Sequence, residues 1–302
     1  QFFFDADKLQ TLESRQDSLQ KLIFQEKLGS VFQKSQRVAS LSKSMAKLLG
    51  YSTEDCEKAA RLCKCDLVTD MVREFSDLQG VVGSYYAKYD GESEEVCRAV
   101  REHYLPKFSG DKLPETTTGS VVAIADKLDT IVGLFGIGRP PTGSKDPFAL
   151  RRAAIGVFRI VIEKELDLNI LKMIEEAYGN YSQISLASDT VDLVFEFLLE
   201  RFRSWCLERN IPTEVFHSVL TVYPERPLNF YTRIRAVDNF RRSPESKTLA
   251  AANKRVANLL SKHESEIKNE YCKEELLMSE TEQSLYTAVS YTHLRAHETS
   301  ID

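Results

Sequence analysis

Two stretches of this 302-residue chain carry residue types and spacings suited to phosphate chemistry. The first runs Gly136-Ile-Gly-Arg-Pro-Pro-Thr-Gly-Ser-Lys-Asp-Pro-Phe-Ala-Leu-Arg-Arg. A nucleotide-binding loop needs a glycine, four residues and then Gly-Lys-Ser/Thr, so that backbone amides cradle the phosphates and the hydroxyl reaches magnesium. Gly138 and Gly143 have that separation, but Ser144-Lys145 stand in the reverse order, and the residues before them read as helix rather than strand. The stretch therefore reads as an ordered interhelical loop ending in a helix cap, or as a basic loop contacting RNA or a partner. Arg139, Lys145, Arg151 and Arg152 gather there at a helix start, where backbone amides favour anions. The second stretch is 226–258. Arg233, Arg235, Arg241, Arg242, Lys247, Lys254 and Arg255 are interleaved with Phe230, Tyr231, Phe240, Asn253 and Asn258. Guanidinium groups match phosphates, aromatic rings stack on unpaired bases, and Asn reads base edges. As a whole the segment points to RNA binding; for any single residue the plainer alternative is a solvated basic helical face.

A third set of positions bears on metal chemistry. The spacing of Phe32-Gln-Lys-Ser-Gln-Arg-Val-Ala, Ala59-Ala-Arg-Leu-Cys-Lys-Cys-Asp and Val122-Ala-Ile-Ala-Asp-Lys-Leu-Asp resembles the helical scaffold of HD-superfamily phosphohydrolases. That scaffold holds a divalent ion with a His, a later His-Asp pair and a distant Asp. Here Lys34 stands where the first His belongs, and Cys63-Lys64 where His-Asp belongs. Asp126 keeps its type, and His103 is a candidate remnant of an intermediate ligand. A lysine ammonium cannot ligate a cation and repels one at short range. The expectation is a hydrolase-like scaffold with no metal and no catalytic residues.

The rest of the composition narrows the field. The five histidines form no Ser-His-Asp or Cys-His pattern in the local sequence, which argues against a nucleophilic enzyme. Cysteines at 56, 63, 65, 97, 206 and 272 form no CxxC, and no secretory signal precedes them, so they read as reduced thiols in a cytoplasm. The net charge of −5 excludes a globally basic nucleic-acid binder, but the charge is segregated. Residues 201–260 hold eleven Lys/Arg against five Asp/Glu, a net of +6, whereas 263–282 hold two against seven, a net of −5. No apolar run approaches the ~20 residues of a membrane span. The chain lacks an initiator Met and reads as the interior of something longer.

Helices must position these residues. Apolar positions three or four apart predict a helix over 27–49 stopped by Gly50, and another opened by Ser52 and running through Val68 and Met71. Further helices are predicted near 92–104, 117–135, 146–165, 189–209, 213–221, 228–242 and 244–288. Asp146-Pro147 and Ser243-Pro244 serve as cap-then-proline starts. Loops are predicted near 76–91, 106–116, 136–145, 179–188 and 222–227. Gly179-Asn-Tyr-Ser-Gln-Ile-Ser gives the best boundary between two helical domains. The fold class is all-α.

Several spaced motifs resemble one family, the β subunit of the bacterial heterotetrameric glycyl-tRNA synthetase. They are Phe24-Gln-Glu-Lys-Leu-Gly, Asp66-Leu-Val-Thr-Asp-Met-Val, His103-Tyr-Leu-Pro, Ala125-Asp-Lys-Leu-Asp-Thr-Ile-Val-Gly-Leu-Phe, Gly143-Ser-Lys-Asp-Pro-Phe-Ala-Leu-Arg-Arg-Ala-Ala and Ala250-Ala-Ala-Asn-Lys-Arg-Val-Ala-Asn-Leu. The resemblance spans about 1–288 and is to the C-terminal portion of a longer subunit. It implies a degenerate HD-type helical domain over 24–138 and a basic loop with linking helices over 139–180. An anticodon-binding-type helical bundle over 181–288 follows, its signature helix at Arg233-Ile-Arg-Ala-Val. Residues 1–23 then read as the end of a preceding domain or a linker. Residues 289–302 resemble a translated sequencing adaptor and are set aside as a non-native tail.

By this resemblance the chain binds tRNA(Gly) within an alpha2-beta2 heterotetramer whose alpha subunit, using ATP and magnesium, makes and transfers the glycyl group. The chain itself would carry no cofactor and no membrane contact. The candidate tRNA-binding residues are Arg233, Arg235, Arg241, Arg242, Asn253, Lys254, Arg255, Arg139, Lys145, Arg151 and Arg152. The rival readings are an active HD-type metal-dependent phosphohydrolase and an assembly domain that does not touch RNA.

Overall fold

The computed structural model describes residues 2–222, 224–262 and 277–287. Its regular elements are α1 (Phe2–Asp7), the two-stranded antiparallel ribbon β1 (Ile23–Gln25) and β2 (Gly29–Ser30), then α2 (Val31–Leu49), α3 (Thr53–Leu62), α4 (Asp70–Glu74), α5 (Val81–Tyr89), α6 (Glu94–Glu102), α7 (Thr117–Gly136), α8 (Leu150–Glu163), α9 (Ile170–Gly179), α10 (Thr190–Glu208), α11 (Thr213–Val219), α12 (Pro227–Arg241) and α13 (Pro244–Lys262). The all-α expectation holds, apart from the small ribbon. The chain divides into two compact units, Gln1–Asn239 and Phe240–Asp302.

Local chemistry explains the helix ends. Ser30 opens α2 with a capping box: its hydroxyl accepts from the Gln33 amide at 3.3 Å, and the Gln33 side chain accepts from the Ser30 amide at 2.9 Å. Gly50, at φ 71°, closes the helix in the left-handed conformation that costs glycine little. Ser52 and Thr116 cap α3 and α7 through their hydroxyls.

The first unit is organised around α7, whose sides are almost all buried. Helices α2, α3, α6, α8, α9 and α10 pack on it. Ile124, Leu128 and Ile131 are fully covered, each contributing about 1.5–3 kcal/mol by leaving water. Gly133 lets the 180–189 segment close over this helix: a Cβ there would lie 2.2 Å from the Tyr181 hydroxyl.

Several expectations change. The second predicted helix does not run through Met71; it ends at Leu62, and a short 3-10 turn at Cys65–Val68 precedes α4. The stretch 76–91, expected as loop, contains α5, whose first turn is capped by a residue far back in sequence: Asp66 Oδ2 accepts the Gly80 amide at 2.6 Å. Residues 1–23 join the first unit: Leu12 and Leu19 are buried, and the Asp7 carboxylate accepts from the Asp70 and Met71 amides and the Tyr86 hydroxyl. The loop at 179–188 packs on the core and does not divide the first unit; Tyr181 is buried, and the Ala187 amide bonds the Gly136 carbonyl. The second unit begins at Phe240. The helix expected over 244–288 is described over Pro244–Lys262, and its continuation through 263–276, with His263, Cys272 and the tail 289–302, lies outside the described residues. Among the described residues no helix is long and apolar enough to cross a membrane.

Candidate functional site

The residues at the HD-type ligand positions come together, but as an ion-pair cluster. Lys34 projects from α2 and places its ammonium 3.2 Å from Asp126 Oδ1 and 3.2 Å from Asp129 Oδ2, with the Thr130 hydroxyl at 2.7 Å. Lys64 approaches the other oxygen of Asp126 at 3.4 Å and lies over the Tyr104 ring. Arg37 grips Asp129 with two nitrogens. Asp126, Asp129 and Thr130 stand at helical i, i+3 and i+4 positions of α7, so one face of one helix presents all three.

Electrostatics follow from that crowding. Burial pushes the Asp126 carboxyl up, but Lys34 and Lys64 outweigh it and hold the group well below the usual carboxylate range. Burial would lower the Lys64 ammonium, yet Asp126 keeps it above its ordinary value. Lys127 comes out the other way: burial pushes it down to about 8 despite Asp126, and its ammonium is held by the Leu105 carbonyl at 2.6 Å. His103 is fully buried; burial and then Lys64 hold its imidazole well below the ordinary value, and Nδ1 meets the Val100 carbonyl at 2.7 Å. Burial raises the Cys63 thiol to about 12, so it stays protonated.

These residues do not fit a divalent ion. Two ammonium groups occupy the space facing the Asp126 carboxylate, and burial keeps the Cys63 thiol protonated, a poor metal ligand. Asp126 is held ionised and His103 neutral, so neither of these two exchanges a proton near neutral pH. A cleft of about 490 Å³ opens beside it, lined in part by Tyr104, Lys107, Asp126, Lys127, Phe148 and Arg152.

The basic loop is arranged differently from a phosphate cradle. Thr142 and Lys145 exchange backbone hydrogen bonds across a tight turn at Gly143. Helix α8 begins at Leu150, not at the Asp146-Pro147 start expected from sequence, after Ala149 in a left-handed conformation. Asp146 caps it all the same, accepting the Leu150 amide at 2.8 Å and the Arg151 amide at 3.0 Å. The protein's own carboxylate thus takes the anion position at this helix start. Arg139, Lys145 and Arg152 are exposed and Arg151 is half-buried; Arg152 donates to the Lys107 carbonyl.

In the third stretch, Arg233 and Arg235 are exposed on α12, and Arg233 bonds the Asn229 side chain at 2.7 Å. The aromatic interleaving is corrected. Phe230 is fully buried, edge-on to Phe202 and Phe216, and Tyr231 packs on Trp205; Phe240 alone of the three is substantially exposed. Arg241, Arg242, Asn253, Lys254 and Arg255 are exposed in the second unit. The side chain of Lys247 lies outside the described residues.

Sequence reading missed Arg37 as the partner of Asp129 and Thr130 as the partner of Asp126; for Thr130 the i, i+4 spacing from Asp126 was the available signal. It also missed a groove of about 400 Å³ beside α5 and α6, where Lys88, Arg98, Arg101, Lys107 and Lys112 line the walls with Glu94, Glu102 and Glu115.

The family described as glycyl-tRNA synthetase beta subunit matches residues 1–221. A glycine–tRNA ligase beta subunit of Chromohalobacter salexigens is 45% identical over 292 residues, which is 97% of this chain and 42% of that protein. Its namesake in Hahella chejuensis is 47% identical over 291 residues, again 42% of its length. That of Marinobacter nauticus is 46% identical over 288 residues, 41% of its length. The chain thus spans about two-fifths of the curated relatives it matches.

Proposed function

The chain belongs to the glycyl-tRNA synthetase beta subunit family, and from that premise we propose that it binds tRNA(Gly) and supports the ATP-dependent attachment of glycine in the cytoplasm. A separate alpha subunit, using ATP and magnesium, carries out the chemistry within an alpha2-beta2 assembly. We read the first unit as a degenerate HD-type scaffold, and α12 as the signature helix of an anticodon-binding-type bundle.

One observation carries the RNA reading. Helix α12 is anchored by the buried Phe230 and Ile234, while Arg233 and Arg235 stand exposed from the same turn. Two guanidinium groups on a packed helix meet phosphates with little loss of backbone freedom. The lysines facing Asp126 speak against the rival phosphohydrolase, because a metal there would have to displace both of them.

The test is a binding titration of the chain with tRNA(Gly), with and without the alpha subunit, across a range of salt concentrations. Salt-sensitive binding supports the proposal. Salt-insensitive or absent tRNA binding, together with tight binding of the alpha subunit, favours a pure assembly domain instead.

A further inference from the structure

We propose that Lys34 fills a four-oxygen cation cage built by α7, and that the cage, once this side chain is shortened, binds a free primary ammonium or a potassium-sized monovalent ion. The Lys34 Nζ has the Asp126 carbonyl at 3.1 Å, Asp126 Oδ1 at 3.2 Å, Asp129 Oδ2 at 3.2 Å and Thr130 Oγ1 at 2.7 Å. A carbonyl, two carboxylates and a hydroxyl are the oxygen donors that hard cations take. The Thr130 hydroxyl donates its own proton to the Asp126 carbonyl at 2.8 Å, which leaves its lone pairs to face the ammonium. The Phe24 ring, 4.8 Å away, closes the remaining side with a π face.

The cage does not depend on Lys34 for its shape. All four oxygens come from one turn of α7, a helix packed on most of its sides. Arg37 holds Asp129 and Lys64 holds Asp126 from other directions. Size and charge then select the occupant. The oxygens stand at 2.7–3.2 Å from the nitrogen, wider than the 2.3–2.6 Å of calcium or the 2.0–2.1 Å of magnesium. Without Lys34, the charges of Asp126 and Asp129 are balanced by Arg37 and Lys64. One monovalent cation restores the present charge, whereas a divalent ion overshoots it in a buried site, where excess charge is expensive.

Lys34→Ala in the full chain removes a propylammonium's worth of atoms. Its thermal midpoint is measured in n-propylammonium, potassium and tetramethylammonium chlorides at equal ionic strength; the last has the charge but no N–H and too large a radius. The expected result is a saturable rise of about 2–4 °C in propylammonium over tetramethylammonium, with a smaller rise in potassium. Wild type should show no such difference, and Lys34→Met, which fills the space with apolar atoms, should show none either. Where Lys34→Ala is not folded in tetramethylammonium, refolding yield from denaturant replaces the midpoint, and propylammonium should raise it. Equal behaviour in all three salts, equal failure to refold included, overturns the proposal, as does equal rescue of Lys34→Met.

Discussion

Arg37 and Asp129 meet in a two-pronged salt bridge, with Nε 2.7 Å from Oδ1 and Nη2 3.2 Å from Oδ2, and both side chains are buried. The Tyr181 ring covers the guanidinium at 4.0 Å. Burial works against the charge of Arg37, but Asp129 outweighs it and holds the guanidinium above its ordinary value.

Breaking this pair strands a buried charge. Arg37→Ala should therefore lower stability by about 3–5 kcal/mol in urea unfolding. Arg37→Lys should recover little of the loss, because an ammonium cannot reproduce the planar fork. A loss below about 1 kcal/mol in Arg37→Ala would mean the pair is merely tolerated.

Asp66 gives a pH signature. Burial raises its carboxyl from 3.8 to about 6, although the Gly80 amide and Lys64 pull the other way. A carboxyl whose folded value is raised adds stability that is full below the unfolded value and is lost as pH climbs through the folded one. Relative to Asp66→Asn, which does not titrate, the wild-type chain should lose about 3 kcal/mol between about pH 4 and pH 6 and then level off. Urea midpoints of the two proteins across that range check it; a flat difference rejects it.

The α12 surface should behave as a phosphate-binding face. Arg233→Ala and Arg235→Ala should weaken tRNA binding and reduce the slope of log affinity against log salt by about 0.7–0.9 for each phosphate that is no longer neutralised. Circular dichroism should be unchanged, since both side chains are exposed. Unchanged affinity and slope together would move the RNA surface elsewhere.

At the basic loop, Asp146→Ala should cost about 0.5–2 kcal/mol, the usual worth of a helix cap. In the assembled enzyme, Lys145→Ala and Arg151→Ala should each weaken tRNA binding or stability and leave ATP affinity unchanged. A selective loss of ATP affinity in either variant would restore the nucleotide-loop reading.

Chelation should be without effect. With Lys34 and Lys64 facing Asp126, dialysis of the chain against a chelator should leave the thermal midpoint unmoved, and elemental analysis beforehand should find no stoichiometric divalent ion. A midpoint that falls on chelation and returns with metal would contradict this.

Much of the helical skeleton was legible because the apolar period of 3.6 is clear in α2, α6 and α8, and because Ser52 and Gly50 mark helix ends with local chemistry. Helix α5 was not legible: its cap comes from Asp66, fourteen residues before Gly80, and nothing adjacent announces it. The β ribbon was missed because two and three residues are too few to show a period. Lys34 and Lys64 were legible as departures from a ligand pattern that Asp126 keeps, but their pairing with it was not, since it depends on how α2 and the end of α3 lie against α7. Phe230 misled because an aromatic beside arginines looks the same in sequence whether it faces solvent or the core; helical spacing from Ile234 is what turns it inward.

Tyr181 sits in the stretch that reads as punctuation between domains, yet it works as a clasp. Its hydroxyl donates to the Asp129 carbonyl at 2.8 Å, its ring lies on Arg37, and Gly133 makes room for it. The segment after α9 therefore acts as the outer wall of the charged cluster inside α2 and α7. A chain severed at 179–188 would not yield two tidy modules: the upstream piece would open its most costly charges to water along the cut, and the downstream piece would begin without the surface its α10 packs against. For this protein, modularity has to be sought elsewhere along the chain.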